Sequence, residues 1–118
     1  MPANSFWKTL DALLQTHAVV IDRPAGSTHP RYPDFYYPLD YGYLEGTAGG
    51  DGQGIDVWLG SGDRTRLSGV VCTVDTVKSD AELKLLAGCT AAEMETILRV
   101  HNSGPQAALL LPAPPQCA

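Results

Sequence analysis

The sequence predicts an α+β protein built on a small, mainly antiparallel sheet or barrel, and three observations carry that expectation. Helical apolar stripes occur near the start and near the end of the chain, the stretches outside them are short β-rich runs cut by proline and glycine, and no strand-helix-strand alternation is visible. With 118 residues there is room for one core, so residues 1–118 are read as a single domain. The architecture expected is about five to seven short strands flanked by two helices.

The elements follow in order. Phe6, Leu10, Leu13, Leu14 and His17 recur at helical spacing, with Ser5 as the N-cap and His17 as a helix-end residue near the C-terminal dipole. From Ala18 to Tyr43, β-branched and aromatic residues are interrupted by Pro24, Pro30, Pro33 and Pro38, which forbids a long helix and suits short strands. A glycine-rich loop over Thr47 to Gly54 precedes strands expected at Ile55 to Leu59, Leu67 to Val74 and Ala81 to Ala87. Thr90 and Glu93 have capping-box spacing, and Met94, Ile97, Leu98 and His101 continue one helical stripe until Asn102-Ser103-Gly104-Pro105 ends it. Gln106 to Leu111 adds a last strand.

Composition narrows the function classes. No apolar run approaches the roughly 20 residues that span a bilayer, and the first residues lack the pattern of a secretory signal, so a cytoplasmic location and no membrane partner are expected. The net charge of −5, with no basic cluster, disfavours nucleic acid as a partner. Cys72, Cys89 and Cys117 have neither disulfide-framework nor zinc spacing and read as free, mostly buried thiols.

The chemistry concentrates in the acids. Asp75 closes one expected strand and Asp80 opens the next, so a four-residue hairpin loop brings both carboxylates to one mouth. Alternation then directs Val70, Cys72, Val74, Leu83 and Leu85 to a core, and Val71, Thr73, Asp75, Asp80, Glu82 and Lys84 to a mixed, more polar face. Asp51 and Asp56, five positions apart, fall on opposite faces of a straight strand unless Gly52 and Gly54 take positive φ and kink it; an ordinary Asp-Gly turn is the alternative. Two carboxylates about 4 Å apart repel by about 4 kcal/mol at an effective dielectric near 20, so four on one patch call for cations, and oxygen-only ligands favour hard ions such as Mg²⁺.

Taken together, YPLDYGYLEGT (Tyr37 to Thr47), DGQGIDV (Asp51 to Val57) and GVVCTVDTVKSDAELK (Gly69 to Lys84), preceded by VVIDRPAG, resemble the soluble, family I type inorganic pyrophosphatases over roughly Val19 to Lys84. The resemblance implies an OB-like barrel and Mg²⁺-dependent hydrolysis of pyrophosphate, or a related small phosphoanhydride, by an inorganic diphosphatase. It implies Asp51, Asp56, Asp75 and Asp80 as metal ligands supported by Asp22, with Asp51, Asp56 and Tyr41 in the catalytic set. Arg31, Tyr41 and Lys84 are implied as phosphate contacts, with an exposed strand lysine as the other reading of Lys84, because its alignment requires two extra residues after Asp80. Tyr37 and Tyr43 are read as packing residues, and a homo-oligomer lies within what the resemblance implies.

The chain also departs from the family's pattern. Gln53 stands where the family has the central acid that helps hold the attacking water, Gly54 replaces a proline, and Pro33 sits where an acid is expected beside Asp34. The insertion that carries a further phosphate-binding arginine is missing, and His101-Asn102 stand roughly where a Tyr-Lys pair would contact phosphate. The alternative that these departures motivate is a catalytically impaired module that keeps the barrel and binds metal, phosphate or a protein partner.

Overall fold

A computed structural model describes residues 5–50 and 52–115. Helix α1 (Ser5–Thr16) leads into β1 (Val19–Arg23), β2 (Asp40–Leu44), β3 (Ile55–Leu59), β4 (Leu67–Asp75) and β5 (Asp80–Ala87), followed by α2 (Ala91–His101) and β6 (Gln106–Pro112). All six strands lie in one sheet in the order β1-β2-β3-β5-β4-β6, antiparallel throughout except where β3 meets β5.

The α+β class and the mainly antiparallel sheet expected from the sequence are present, but the OB-like barrel is not. Among the described residues β1 and β6 are the two edges, and no pairing closes one on the other. Alternation supplies the reason. Val57, Val70 and Leu85 point to the face packed by Leu10 and Leu14 of α1, while their neighbours Trp58, Val71 and Leu86 point to the face packed by Ile97 of α2. A sheet with apolar residues on both faces is buried by a helix on each side, whereas a small barrel would turn one face to solvent.

Local chemistry sets the element ends. The capping box forms: the Thr90 hydroxyl accepts the Glu93 N–H at 3.2 Å and the Glu93 carboxylate accepts the Thr90 N–H at 2.8 Å. Within the described residues the first helix already includes Ser5, the expected N-cap, and His17 meets the Leu13 carbonyl at 2.9 Å, as a helix-end residue should. The β4–β5 hairpin pairs Asp75 with Asp80 across the loop expected for it. Val74, expected in the core, is 52% exposed and lies outside the cluster that packs Val70 and Cys72 on that face. The Cys72 and Cys89 thiols are free and partly buried, burial and Glu93 push Cys89 up to about 12, and Cys117 lies outside the described residues. Among the described residues no helix is long and apolar enough to cross a membrane.

Gly42 in the middle of β2 positions the strand that carries Tyr41 and Tyr43. A β-bulge shifts the β1–β2 register between Ile21 and Arg23, and β1 lies so close to β2 that a Cβ at Gly42 would drive into the Val20 carbonyl. Gly42→Ala is expected to cost about 3 kcal/mol or more, since backbone rather than a flexible side chain must give way. Urea unfolding should show this as a lowered midpoint, and an unchanged midpoint would mean that β1 is not held as described.

Candidate functional site

The face that α2 covers is apolar at one end and charged at the other. Reading along each strand, Trp58 is followed by Asp56 on β3, Leu86 by Lys84, Glu82 and Asp80 on β5, and Val71 by Thr73 and Asp75 on β4, each two residues on and therefore on the same face. The charged end floors a cavity of about 1060 Å³. The loop between β1 and β2, pinned by a Thr28–Tyr36 bridge, adds His29, Arg31, Tyr32 and Asp34 to its lining.

At the boundary between core and cavity sits Lys84, only 6% exposed. Its Nζ donates to Asp56 Oδ2 at 2.8 Å and to the Tyr41 hydroxyl oxygen at 2.9 Å, and lies 3.5 Å from Glu82 Oε2. Tyr41 is in turn hydrogen-bonded to Asp56. Burial first, and then the Asp56 charge, hold the Tyr41 phenol well above its ordinary range, so it stays a neutral hydrogen-bond donor and cannot serve as a base near neutrality.

A second chain of hydrogen bonds runs from the core to the hairpin loop, and its direction is fixed at one end. Trp58 Nε1–H can only donate, so His101 Nε2, 3.1 Å away, accepts, which leaves the proton on Nδ1 to be donated to Gln106 Oε1 at 3.1 Å. The Gln106 amide donates to Asp75 Oδ2 at 3.2 Å, and Asp75 Oδ1 accepts the backbone N–H groups of Val77 at 2.9 Å and Lys78 at 3.0 Å. The Lys78 N–H, with help from Gln106, holds the Asp75 carboxyl below its ordinary range. Burial keeps His101 neutral, lowering it to about 4.

Cations gather on the cavity as well. Lys78, in the β4–β5 loop, reaches over the Tyr32 ring at 5.3 Å. Burial first, and then the charges of Lys78, Arg23 and Arg31, lower His29, which places all three cations within electrostatic reach of one imidazole. The bulge in β1 lets the consecutive residues Asp22 and Arg23 both line the cavity, where regular alternation would send them to opposite faces.

Of the residues expected from the sequence, Asp22, Arg31, Tyr41, Asp56, Asp75, Asp80 and Lys84 therefore line one cavity, and Asp51 lies outside the described residues. Gly52 takes the expected positive φ of 82°, whereas Gly54 does not. Among the described residues no three His, Cys, Asp or Glu side chains converge closely enough to hold a metal ion. Asp56 is paired with Lys84, Asp75 caps the hairpin loop, and Asp22 lies 3.8 Å from the Arg23 guanidinium in a partly exposed pair, so of the expected set Asp80, and Asp22 if it turns from Arg23, are the oxygen donors open to a cation. Lys84 is neither an exposed strand lysine nor on the cavity rim. His101 is buried and bonded to Trp58 and Gln106, and the exposed Asn102 is bonded to Leu98 O and to both backbone groups of Ala108. Sequence reading placed Glu82 on the polar face without giving it a role and missed Arg23, Lys78 and Gln106; the placement of Lys78 between Asp75 and Asp80 was the one signal available for those three.

The His101 environment has a pH signature. The unfolded chain takes up a proton near pH 6.5 and the folded chain only near 4, so stability is complete above the unfolded value and falls as pH drops between the two. Between pH 7 and pH 5 the loss attributable to His101 is about 2 kcal/mol. His101→Gln should flatten most of that slope in urea unfolding curves, and an unchanged slope would assign it to other groups.

Searches of protein-family models, of curated proteins and of solved structures find no match to this chain.

Proposed function

We propose that the cavity binds a small phosphoanhydride with Mg²⁺ and hydrolyses it, pyrophosphate being the first substrate to test. One observation carries this reading: Asp22, Asp56, Asp75, Asp80 and Glu82 share a single cavity with Arg23, Arg31, Lys78 and Lys84. A polyanion that arrives with divalent cations needs both signs of charge within reach, and neither a purely acidic nor a purely basic pocket suits it.

In this reading Arg31 and Lys78, with Arg23 beside them, hold the phosphate oxygens from the loop side. Tyr41, neutral because it is buried, keeps its one proton donated to Asp56 and braces that carboxylate beside the bound anion. Asp80, with Asp22 turned from Arg23 and Asp51 as the sequence expects, would hold Mg²⁺, which when bound would neutralise phosphate charge and acidify a water. Gln53 lines the cavity. Its amide orients a water but, unlike a carboxylate, cannot accept the proton, and losing a general base typically forfeits about 10²–10⁴-fold in rate.

Purified protein with pyrophosphate and Mg²⁺ should release phosphate, and Asp80→Asn should cut the rate by about 100-fold or more. Release no faster than that of an Asp56→Asn/Asp80→Asn control would end the proposal. Gln53→Asp should raise the rate by about 10-fold or more if a missing base limits turnover. The neutral Gln53 also favours a second reading, a module that binds phosphate and metal without turning substrate over. Calorimetry that detects Mg²⁺-dependent pyrophosphate binding while no phosphate appears would select it.

A further inference from the structure

The buried ammonium of Lys84 occupies the place where the expected metal ligands would otherwise need a cation. Asp56 and Glu82 come from adjacent strands, and each has an oxygen within salt-bridge distance of the same nitrogen, Asp56 Oδ2 at 2.8 Å and Glu82 Oε2 at 3.5 Å. The Tyr41 hydroxyl at 2.9 Å adds a third oxygen. Three oxygens from three strands around one centre form a cation cage whose occupant is covalently attached. The attachment is rigid, because the lysine stem rises from β5 between Glu82 and Leu86 and is almost wholly buried.

We propose that Lys84 is a resident counter-ion of the cavity, holding the position between Asp56, Glu82 and Tyr41 so that no divalent cation binds there. This deepens the metal-phosphate reading and rests on it for the substrate, but its cation part stands on geometry alone. Two consequences follow. Asp56 acts by positioning Lys84 and Tyr41 and does not ligate metal, and the cavity needs one divalent ion fewer than a set in which every aspartate binds metal. A tethered ammonium is also always present, so this share of the charge neutralisation does not vary with free Mg²⁺, whereas the share at Asp22 and Asp80 does.

The test counts bound cations rather than turnover. Mn²⁺ is titrated into the full-length protein, free Mn²⁺ is followed by electron paramagnetic resonance, and melting is recorded with and without Mn²⁺. Lys84→Met, which keeps the length of the stem and removes the charge, should gain one Mn²⁺ site over the wild type. Its Tm should then rise by about 5 °C or more at saturating Mn²⁺ beyond any rise in the wild type. Lys84→Met/Asp56→Asn should lose that gain. Within the wild-type background, Asp56→Asn should leave the Mn²⁺ count unchanged, a measurement that holds even if the Lys84→Met chain does not fold. An unchanged count in folded Lys84→Met, or a site lost in Asp56→Asn, overturns the proposal. Failure of the hydrolase reading shows separately, as absent phosphate release by the wild type whatever the cation counts.

Discussion

Side-chain alternation along β3, β4 and β5 is the constraint on which the rest of the molecule depends. Because the period is two, a strand that begins in the core and ends at the surface keeps one face throughout. Trp58 and Asp56, Leu86 and Lys84, Val71 and Thr73 are therefore not separate features but successive steps on one surface. Helix α2 covers the apolar steps through Ile97 and leaves the charged ones open, so the cavity floor is continuous with the hydrophobic core. A one-residue slip of any of these strands would exchange the charged row for the row that packs on α1, which would bury charge under Leu10 and Leu14.

Such a continuous face places polar groups where water is scarce, and each of them must find a partner inside the protein. The structure meets this demand with two networks that share the aromatic cluster of Tyr37, Tyr41 and Trp58. One gathers charge around Lys84; the other carries no formal charge until it reaches Asp75. No buried side-chain nitrogen or oxygen among the described residues lacks a hydrogen-bond partner. Removing one member of a buried ion pair strands the other at a cost of about 3–5 kcal/mol, so the Lys84–Asp56 pair fixes the relative position of β3 and β5 where they run parallel. The uncharged chain does the same for the β4–β5 loop, since Asp75 holds two of its backbone N–H groups while Gln106 anchors Asp75 to β6. Lys78 is carried on that loop, and its reach over Tyr32 thus depends on His101, an element away.

What the sequence reveals divides along the same line between local and long-range. The helices, the β4–β5 hairpin, the capping box and the convergence of Asp75 with Asp80 are each settled within a few residues, by spacing or by turn chemistry. The partners of Lys84 and His101 are not. Tyr41 and Trp58 lie 43 positions from them, and no periodicity within one strand says which strand will lie alongside. The barrel expectation failed for a related reason. The dense short strands and the family resemblance are compatible with closure, but whether both faces of the sheet are apolar becomes visible only when Val57 with Trp58, Val70 with Val71 and Leu85 with Leu86 are counted as opposed pairs. Arg23 needed the β1 bulge, which VVIDR alone does not announce.

The two residues that separate Lys84 from the place the resemblance implied for it matter more in three dimensions than in an alignment. A shift of two keeps the side chain on the same face but moves it about 7 Å along the strand. Here that displacement runs from the mouth, where Asp75 pairs with Asp80, toward Leu86 and the core. The position nearer the mouth is taken by Glu82, an acid, so a lysine that would meet phosphate from the rim instead meets Asp56 from below. In the proposed reading phosphate contact would come from the other cations that line the cavity, Arg31 and Lys78 on long side chains from two loops, with Arg23 from the bulged edge. The charges over the cavity thus stand on loops, while the charge beneath it is built into the sheet. Under the proposed function, an arrangement of that kind would let the loops set which anion is accepted, without disturbing the buried ammonium that makes the carboxylate floor tolerable.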